Sequence, residues 1–422
     1  MASVLETSDV PVSRGLCTLA VILSVIALWE ARHGKKRGIP GPWGIPVLGN
    51  LLQLGRKPHK TLTTFRPWRL AHPEKTVSFI NQTNLQSPLM WLISQSSGMV
   101  VHVQFSSWPN RIAQNALASL SNKKTNPIEA TIASEADVLV SRLLNSNLQP
   151  KDPHTEIYLS VGSIICAICF GKRYRKLQEH LTTYDPNEIR DVTDCLIKAT
   201  IQTPQEEKEA VGLTDEHILT TVQELIGAGF DTIASTLQWA VLYMMSYPDI
   251  QEKVHSEIVS QIGQVRPPTL SDLPNLPMTE ATLLEVLRHS CIFPFALPHS
   301  TTKDTELDGY AIPKDTLVFV NLWSVSRDAE FFQDPEKFDP SRFLDVSGSV
   351  IDKAKADFFL PFGAGRRKCP GEQLARMELF MFFARLLQKC EMRTPKGDNP
   401  IIDSKYGLTL KPVDFKTVFT QR

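Results

Sequence analysis

The chain has 422 residues, of which 42% are apolar and 21% charged, and its 45 basic and 45 acidic side chains cancel. This length allows one large domain or two to three ordinary ones, and the composition excludes a disordered or fibrous chain. Zero formal net charge leaves no overall field to draw a polyanion, so nucleic acid is excluded as a partner.

Taken from the start, residues 15–29 (GLCTLAVILSVIALW) are almost wholly apolar, and residues 32–37 add four basic side chains. The run reads as a membrane anchor over residues 1–31, although it is short for a spanning helix and a cleaved signal peptide competes. The basic cluster on its C-terminal side favours an uncleaved anchor with the body of the protein in the cytosol. Residues 32–50, with prolines at 40, 42 and 46, form a stiff connector to a body over 51–422. Within that body, Phe65 to Trp108 shows neither helical periodicity nor strand alternation and carries prolines at 67, 73 and 88. No element is assigned there. Seven scattered cysteines, an odd number without regular spacing, fit a reducing compartment and not a disulfide scaffold. The CxxC of Cys166 and Cys169 lies inside VGSIICAICF and reads as buried helix packing.

From Thr214 the pattern turns orderly. Thr214 can cap a helix whose first turn carries Asp215 and Glu216, where negative charge suits the dipole. Apolar residues then recur three or four apart from Leu219 to Met244 until Pro248, which predicts one long central helix. Its middle reads AGFDT, residues 228–232. Amphipathic segments follow at 248–261 and 278–290, then strand-like pieces such as TLVFVNLW, and a last helix over 372–389. Within the second segment, Glu285 and Arg288 stand one helical turn apart.

The most specific string is FGAGRRKCPG, residues 362–371, which fits F-x-x-G-x-R-x-C-x-G at every fixed position. An iron porphyrin needs a deprotonated sulfur, and Arg366, Arg367 and Lys368 beside Cys369 are expected to ease thiolate formation. Glycines in the string let backbone approach a planar group, and thiolate ligation favours O–O cleavage. The competing reading is an inert buried cysteine.

This string resembles the cysteine signature of the cytochrome P-450 family, and further motifs follow in the family's order. The resemblance implies a mainly α fold with small β-sheets, a long central helix over haem b, and Cys369 as axial ligand of the iron. AGFDT resembles the oxygen-activation motif, with Asp231 and Thr232 as proton carriers; a Thr bonding back to its own helix and an Asp in a surface pair is the plainer alternative. Arg342 in FDPSRF matches the third member of a Glu-Arg-Arg cluster with Glu285 and Arg288, which reads as a buried fold-holding network. Residues 214–422 are family-like. GAGFDT, RHS, PHSTT, FVNLW and YGLTL together resemble vertebrate family 1 members, which oxidise planar aromatic compounds. By position, His299 and Arg367 would bond the haem propionates, and Phe362 would border the cofactor. Ala228, Phe230, Leu297, Leu408 and Thr409 would line the distal pocket.

Residues 51–213 depart from the family. The pattern W-x-x-x-R, whose Trp and Arg bind a propionate, reads WPNRIAQNAL here, so Trp108 is present but Arg111 stands one position too close. Such a shift turns a helical side chain by about 100°. Segments expected around the substrate also go unmatched, which implies internal losses. The expected function is a monooxygenase of the endoplasmic-reticulum membrane, acting on a lipophilic, planar aromatic molecule with NADPH electrons from NADPH-cytochrome P-450 reductase. A catalytically impaired relic and a reductase-free haem-thiolate isomerase are the competing readings.

Overall fold

The computed structural model describes residues 77–80, 127–146, 148–170, 184–185, 189–206, 208, 215–307, 310–407 and 409–422. The anchor and connector of residues 1–50 and the Thr214 cap lie outside them. Among the described residues the chain is mainly helical with small antiparallel sheets. Its contacts divide it into two units, Met1–Leu89 with Leu297–Asn321 and Met90–Ala296 with Leu322–Arg422.

The described residues of the first unit carry small β-sheets. β1 (Val77–Ile80), β2 (His299–Ser300) and β5 (Leu317–Val320) form a sheet in the order β1-β5-β2, with Val77 opposite Val320 and His299 opposite Val318. β3 (Thr305–Leu307) and β4 (Tyr310–Ile312) form a separate hairpin. Strand β1 falls inside the stretch for which no element was assigned. Four residues, VSFI, are too few for alternation to stand out, and the strand exists because the distant β5 pairs with it. The strand expected over TLVFVNLW is corrected at its end: pairing stops at Val320, and Leu322–Ser326 form the short helix α7.

The second unit holds the long helices: α1 (Pro127–Leu144), α2 (His154–Phe170), α3 (Val192–Gln202), α4 (Asp215–Ser246), α5 (Pro248–Ile262), α6 (Pro277–Ser290), the short α7 and α8 (Lys353–Phe358), and α9 (Glu372–Lys389). β6 (Cys390–Arg393) pairs with β9 (Val418–Gln421), and β7 (Ser404–Lys405) with β8 (Lys411–Pro412), each antiparallel.

Helix α4 is the axis of this unit. By length and composition it could cross a membrane, but Ile233 to Met245 are buried against the neighbouring helices, as a core helix requires. Polar groups fix it as well: the Trp239 indole N–H donates to the Leu410 carbonyl at 2.8 Å. Helix α9 is buried almost throughout, which explains its mostly apolar run LFMFFARLL. Arg385 is the cation within that run. It reaches the carbonyls of Pro268 and Ala133 and the Asp137 carboxylate at 2.7 Å, so burial leaves its charge answered.

The helix that carries Glu285 and Arg288 is placed by its ends. Pro277 occupies the first turn of α6, where a missing N–H is harmless. The Glu257 carboxylate on α5 accepts the amides of Met278 and Thr279 at 2.7 and 2.8 Å and the Thr279 hydroxyl at 2.7 Å. A neighbouring helix thus caps donors that α6 cannot satisfy itself. α5 stops at Gly263, whose φ of +90° closes that turn to other residues at low cost.

Candidate functional site

The loop before α9 is shaped by two left-handed glycines, Gly363 and Gly365, with φ near +72° and +71°. Between them and the helix the Cys369 amide donates to the Phe362 carbonyl at 2.9 Å, and the Lys368 amide to Gly365 at 3.2 Å. Cys369 is not in a disulfide and is exposed. The ring of Phe362 lies 5.1 Å from the Arg376 guanidinium, and Arg376 in turn pairs with Glu372 at 2.9 Å.

The electrostatics of this loop correct one expectation. Burial pushes the Cys369 thiol up, and the Glu372 carboxylate adds to that, against the Gly371 amide and Lys368. The Lys368 ammonium works in the expected direction, but it is paired with Glu372 at 2.5 Å and burial outweighs it. A bound metal ion would remove the proton of a coordinating thiol outright. A sulfur free of any disulfide, on an exposed residue, fits such a ligand role. The two other thiols singled out by spacing are enclosed in α2: Cys169 is buried, which pushes it up to about 12, and Cys166 is half-buried and also raised.

On α4, Ala228 is exposed and Thr232 follows one turn later on the same face. The Thr232 hydroxyl donates to the Ala228 carbonyl at 2.8 Å. Asp231 is half-buried and held from three directions. Tyr158 on α2 donates to Oδ1 at 2.6 Å, Lys411 on β8 reaches the same oxygen at 2.7 Å, and Thr409 donates to Oδ2 at 2.7 Å. Burial works to raise this carboxyl, but Lys411 and the two hydroxyls outweigh it and hold it below the usual aspartate value. Thr232 is thus back-bonded to its own helix, whereas Asp231 is half-buried and held by three partners and not in the surface pair of the plainer reading.

Phe230 and Thr409 are turned to other work than expected from the family pattern. Phe230 sits about 200° around the helix from Ala228, and its ring meets Tyr158 edge-on at 4.8 Å and crowds Gly162. Thr409 is buried, with its hydroxyl committed to Asp231. Leu297 and His299 lie in the first unit, both exposed, with His299 on β2. Arg367 is exposed in the cysteine loop. Trp108, Arg111 and Leu408 fall outside the described residues.

Glu285, Arg288 and Arg342 come together in the second unit. Arg288 grips both oxygens of Glu285 at 2.7 and 2.8 Å, and Arg342 adds a bond to Oε1 at 3.1 Å. The Asp339 amide donates to the same oxygen at 2.8 Å. Arg288 spends its remaining donors on the carbonyls of Ser326, Pro335 and Lys337. The arginine and the glutamate are wholly buried, and their mutual pairing with every fork donor used is what makes that burial tolerable. These bonds gather the segment from Ser326 to Arg342 onto α6.

The cytochrome P450 family model matches residues 174–419. Cytochrome P450 1A1 of Platichthys flesus is 33% identical, with 94% of this chain and 92% of the relative covered. Cytochrome P450 1A1 of Canis lupus familiaris is also 33% identical, over 96% and 95%, and cytochrome P450 1A5 of Gallus gallus 32%, over 92% and 91%. The chain belongs to the cytochrome P450 family. It resembles family 1 members, and haem and monooxygenase chemistry come with the family. The alignment to the flounder cytochrome P450 runs over 486 positions against 422 residues here, so that relative carries internal segments this chain lacks.

Two partners in this cytochrome P450 site escaped the sequence reading, Tyr158 and Lys411. Tyr158 lies 73 positions from Asp231, in an apolar helix where a tyrosine is unremarkable. Lys411 follows Thr409 by two, which on an extended chain puts both on one face. That alternation is the one sequence signal that could have paired them.

Proposed function

We propose that this chain is a haem-thiolate monooxygenase that inserts one atom of dioxygen into a lipophilic, planar aromatic molecule. The observation that carries the reading is Cys369: a sulfur free of any disulfide, on an exposed residue of a glycine-shaped loop, at the head of a buried helix. Haem b, when bound, supplies dioxygen activation at its iron. Cys369 would ligate that iron, Phe362 would border the cofactor, and Arg367 and His299 would neutralise propionates, with Trp108 and Arg111 assisting. Ala228, small and exposed, would leave room on the distal side, with Leu297 and Leu408 adding apolar wall. Thr232 would hold a proton at Oγ1, and Asp231 would relay one to it when released from its partners. The aromatic preference rests on the likeness of RHS, PHSTT, FVNLW and YGLTL to family 1.

Electrons would come from NADPH through a separate flavoprotein reductase. The apolar run of residues 15–29 and the basic cluster behind it support an anchor in the endoplasmic-reticulum membrane, a connector over 32–50 and a cytosolic body over 51–422.

The full chain, reconstituted in vesicles with NADPH-cytochrome P-450 reductase and a planar aromatic ether, should give oxidised product dependent on NADPH and dioxygen. The Cys369→Ala variant should give none. A chain that purifies without haem would favour the impaired relic, a reading that draws on the internal segments it lacks. Turnover without oxygen would instead mark an isomerase.

A further inference from the structure

We propose that Lys411 is a positioning residue: by pairing with Asp231 it holds that carboxylate fully engaged, and so governs when Asp231 can take up and pass on a proton. The inference rests on the reading of Asp231 as a proton carrier and deepens it.

The geometry is a three-element clamp. Asp231 sits in the middle of α4, Tyr158 on α2, Thr409 on the segment before β8 and Lys411 on β8 itself. Oδ1 accepts two donors, Tyr158 at 2.6 Å and Lys411 at 2.7 Å, and Oδ2 accepts Thr409 at 2.7 Å. The Lys411 ammonium also lies 5.5 Å from the centre of the Tyr158 ring, so it faces both groups at once. Among the described residues, Lys411 and Tyr158 are the charged and titratable groups acting on Asp231.

The three donors are not equivalent. A hydroxyl can reverse its role: if Asp231 gained a proton, Tyr158 or Thr409 could rotate and accept from it. An ammonium has no lone pair and can only donate. Protonation of Asp231 therefore costs its ion pair with Lys411, whereas the hydroxyl bonds can survive it. Lys411 is also the partner best placed to let go, since its side chain is 38% exposed and water can take over its bonds. Burial opposes ionisation of Asp231 and the clamp overrides it. Lys411 is likewise held protonated: burial works to lower it, but Asp231 and Tyr158 raise it above its ordinary value.

The test reads the carboxyl group itself. The full chain, labelled with carbon-13 aspartate, is titrated by infrared difference spectroscopy, and Asp231→Asn identifies the Asp231 band. In the unmodified chain that band should titrate below the ordinary aspartate range. In Lys411→Met it should move up by about 1–3 pH units, the effect of a close opposite charge. Lys411→Arg should restore it. An Asp231 band that titrates alike in the unmodified chain and Lys411→Met overturns the proposal, as does failure of arginine to rescue.

Turnover separates this inference from the functional reading it rests on. In the reconstituted system, Lys411→Met should change product formed per NADPH consumed and its solvent isotope effect, and Lys411→Arg should not. A shifted band with unchanged yield and isotope effect would overturn the governing role. If the unmodified chain makes no product while the band still shifts, the monooxygenase reading falls and the positioning of Asp231 by Lys411 stands.

Discussion

Arg288 is wholly buried, and Glu285 and three backbone carbonyls answer its guanidinium. Removing it leaves the Glu285 carboxylate in the interior with a single remaining cation, Arg342. Arg288→Met is expected to destabilise the fold by about 3–5 kcal/mol, the usual effect of breaking a buried pair from one side, measured by equilibrium urea unfolding. Arg288→Lys should also fail to restore full stability, because an ammonium cannot match the two-pronged grip on Glu285. Next to it, His289 accepts the Tyr243 hydroxyl at Nδ1 and donates from Nε2 to the Glu336 carbonyl in the tautomer these partners require. Burial lowers it from 6.5 to about 4, so between those values the unfolded chain binds a proton that the folded chain refuses. Its contribution to stability is complete above about pH 6.5 and declines as pH falls toward 4. His289→Gln should flatten that slope in thermal melts. Glu378 has the opposite sign. It is buried on α9 with Oε2 unpartnered, and burial raises it from 4.5 to about 8. The folded chain keeps a proton that the unfolded chain gives up, so stability declines as pH rises from about 4.5 to 8. Glu378→Gln should remove that decline, and an unchanged pH profile in this variant would count against a neutral buried acid.

At the scale of elements, the contact between α2 and α4 is set by the absence of a side chain. A Cβ at Gly229 would stand 2.5 Å from Cδ1 of Ile165. Gly229→Ala is expected to destabilise the chain by overpacking, about 1–3 kcal/mol less the roughly 1 kcal/mol gained in helix propensity. Ile165→Val removes the offending atom, so the double variant should be more stable than the two single effects add up to, as measured by a thermodynamic cycle. Much of this layer was legible in the sequence. α5, α6 and α9 run within a residue or two of the expected bounds, since Pro248, Pro277 and Gly263 punctuate strongly periodic segments. What escaped depends on distant partners. β1 is four residues long and exists through its pairing with β5. Leu322 and Trp323 read as strand by composition, yet the Trp323 amide bonds to the Pro294 carbonyl at 3.0 Å as the chain turns into α7. The clamp on Asp231 is likewise invisible to local pattern, because Thr409 lies 178 positions away.

Across the whole molecule, the helical unit carries Cys369 on the loop that leads into α9, and the chain belongs to the cytochrome P450 family. The motif around Cys369 was readable because several unusual requirements fall within ten residues: turns that suit glycine, a thiol and adjacent cations. The effect of those cations was not readable, since Lys368 is taken up by Glu372 and burial dominates the thiol. The most direct test is the absorbance spectrum of the purified, haem-loaded chain after reduction under carbon monoxide. A band of the thiolate-ligated type, present in the unmodified chain and lost in Cys369→Ser, is the expected result. A band of the imidazole-ligated type, or a thiolate-type band that survives Cys369→Ser, would contradict the assignment of Cys369 and with it the proposed function.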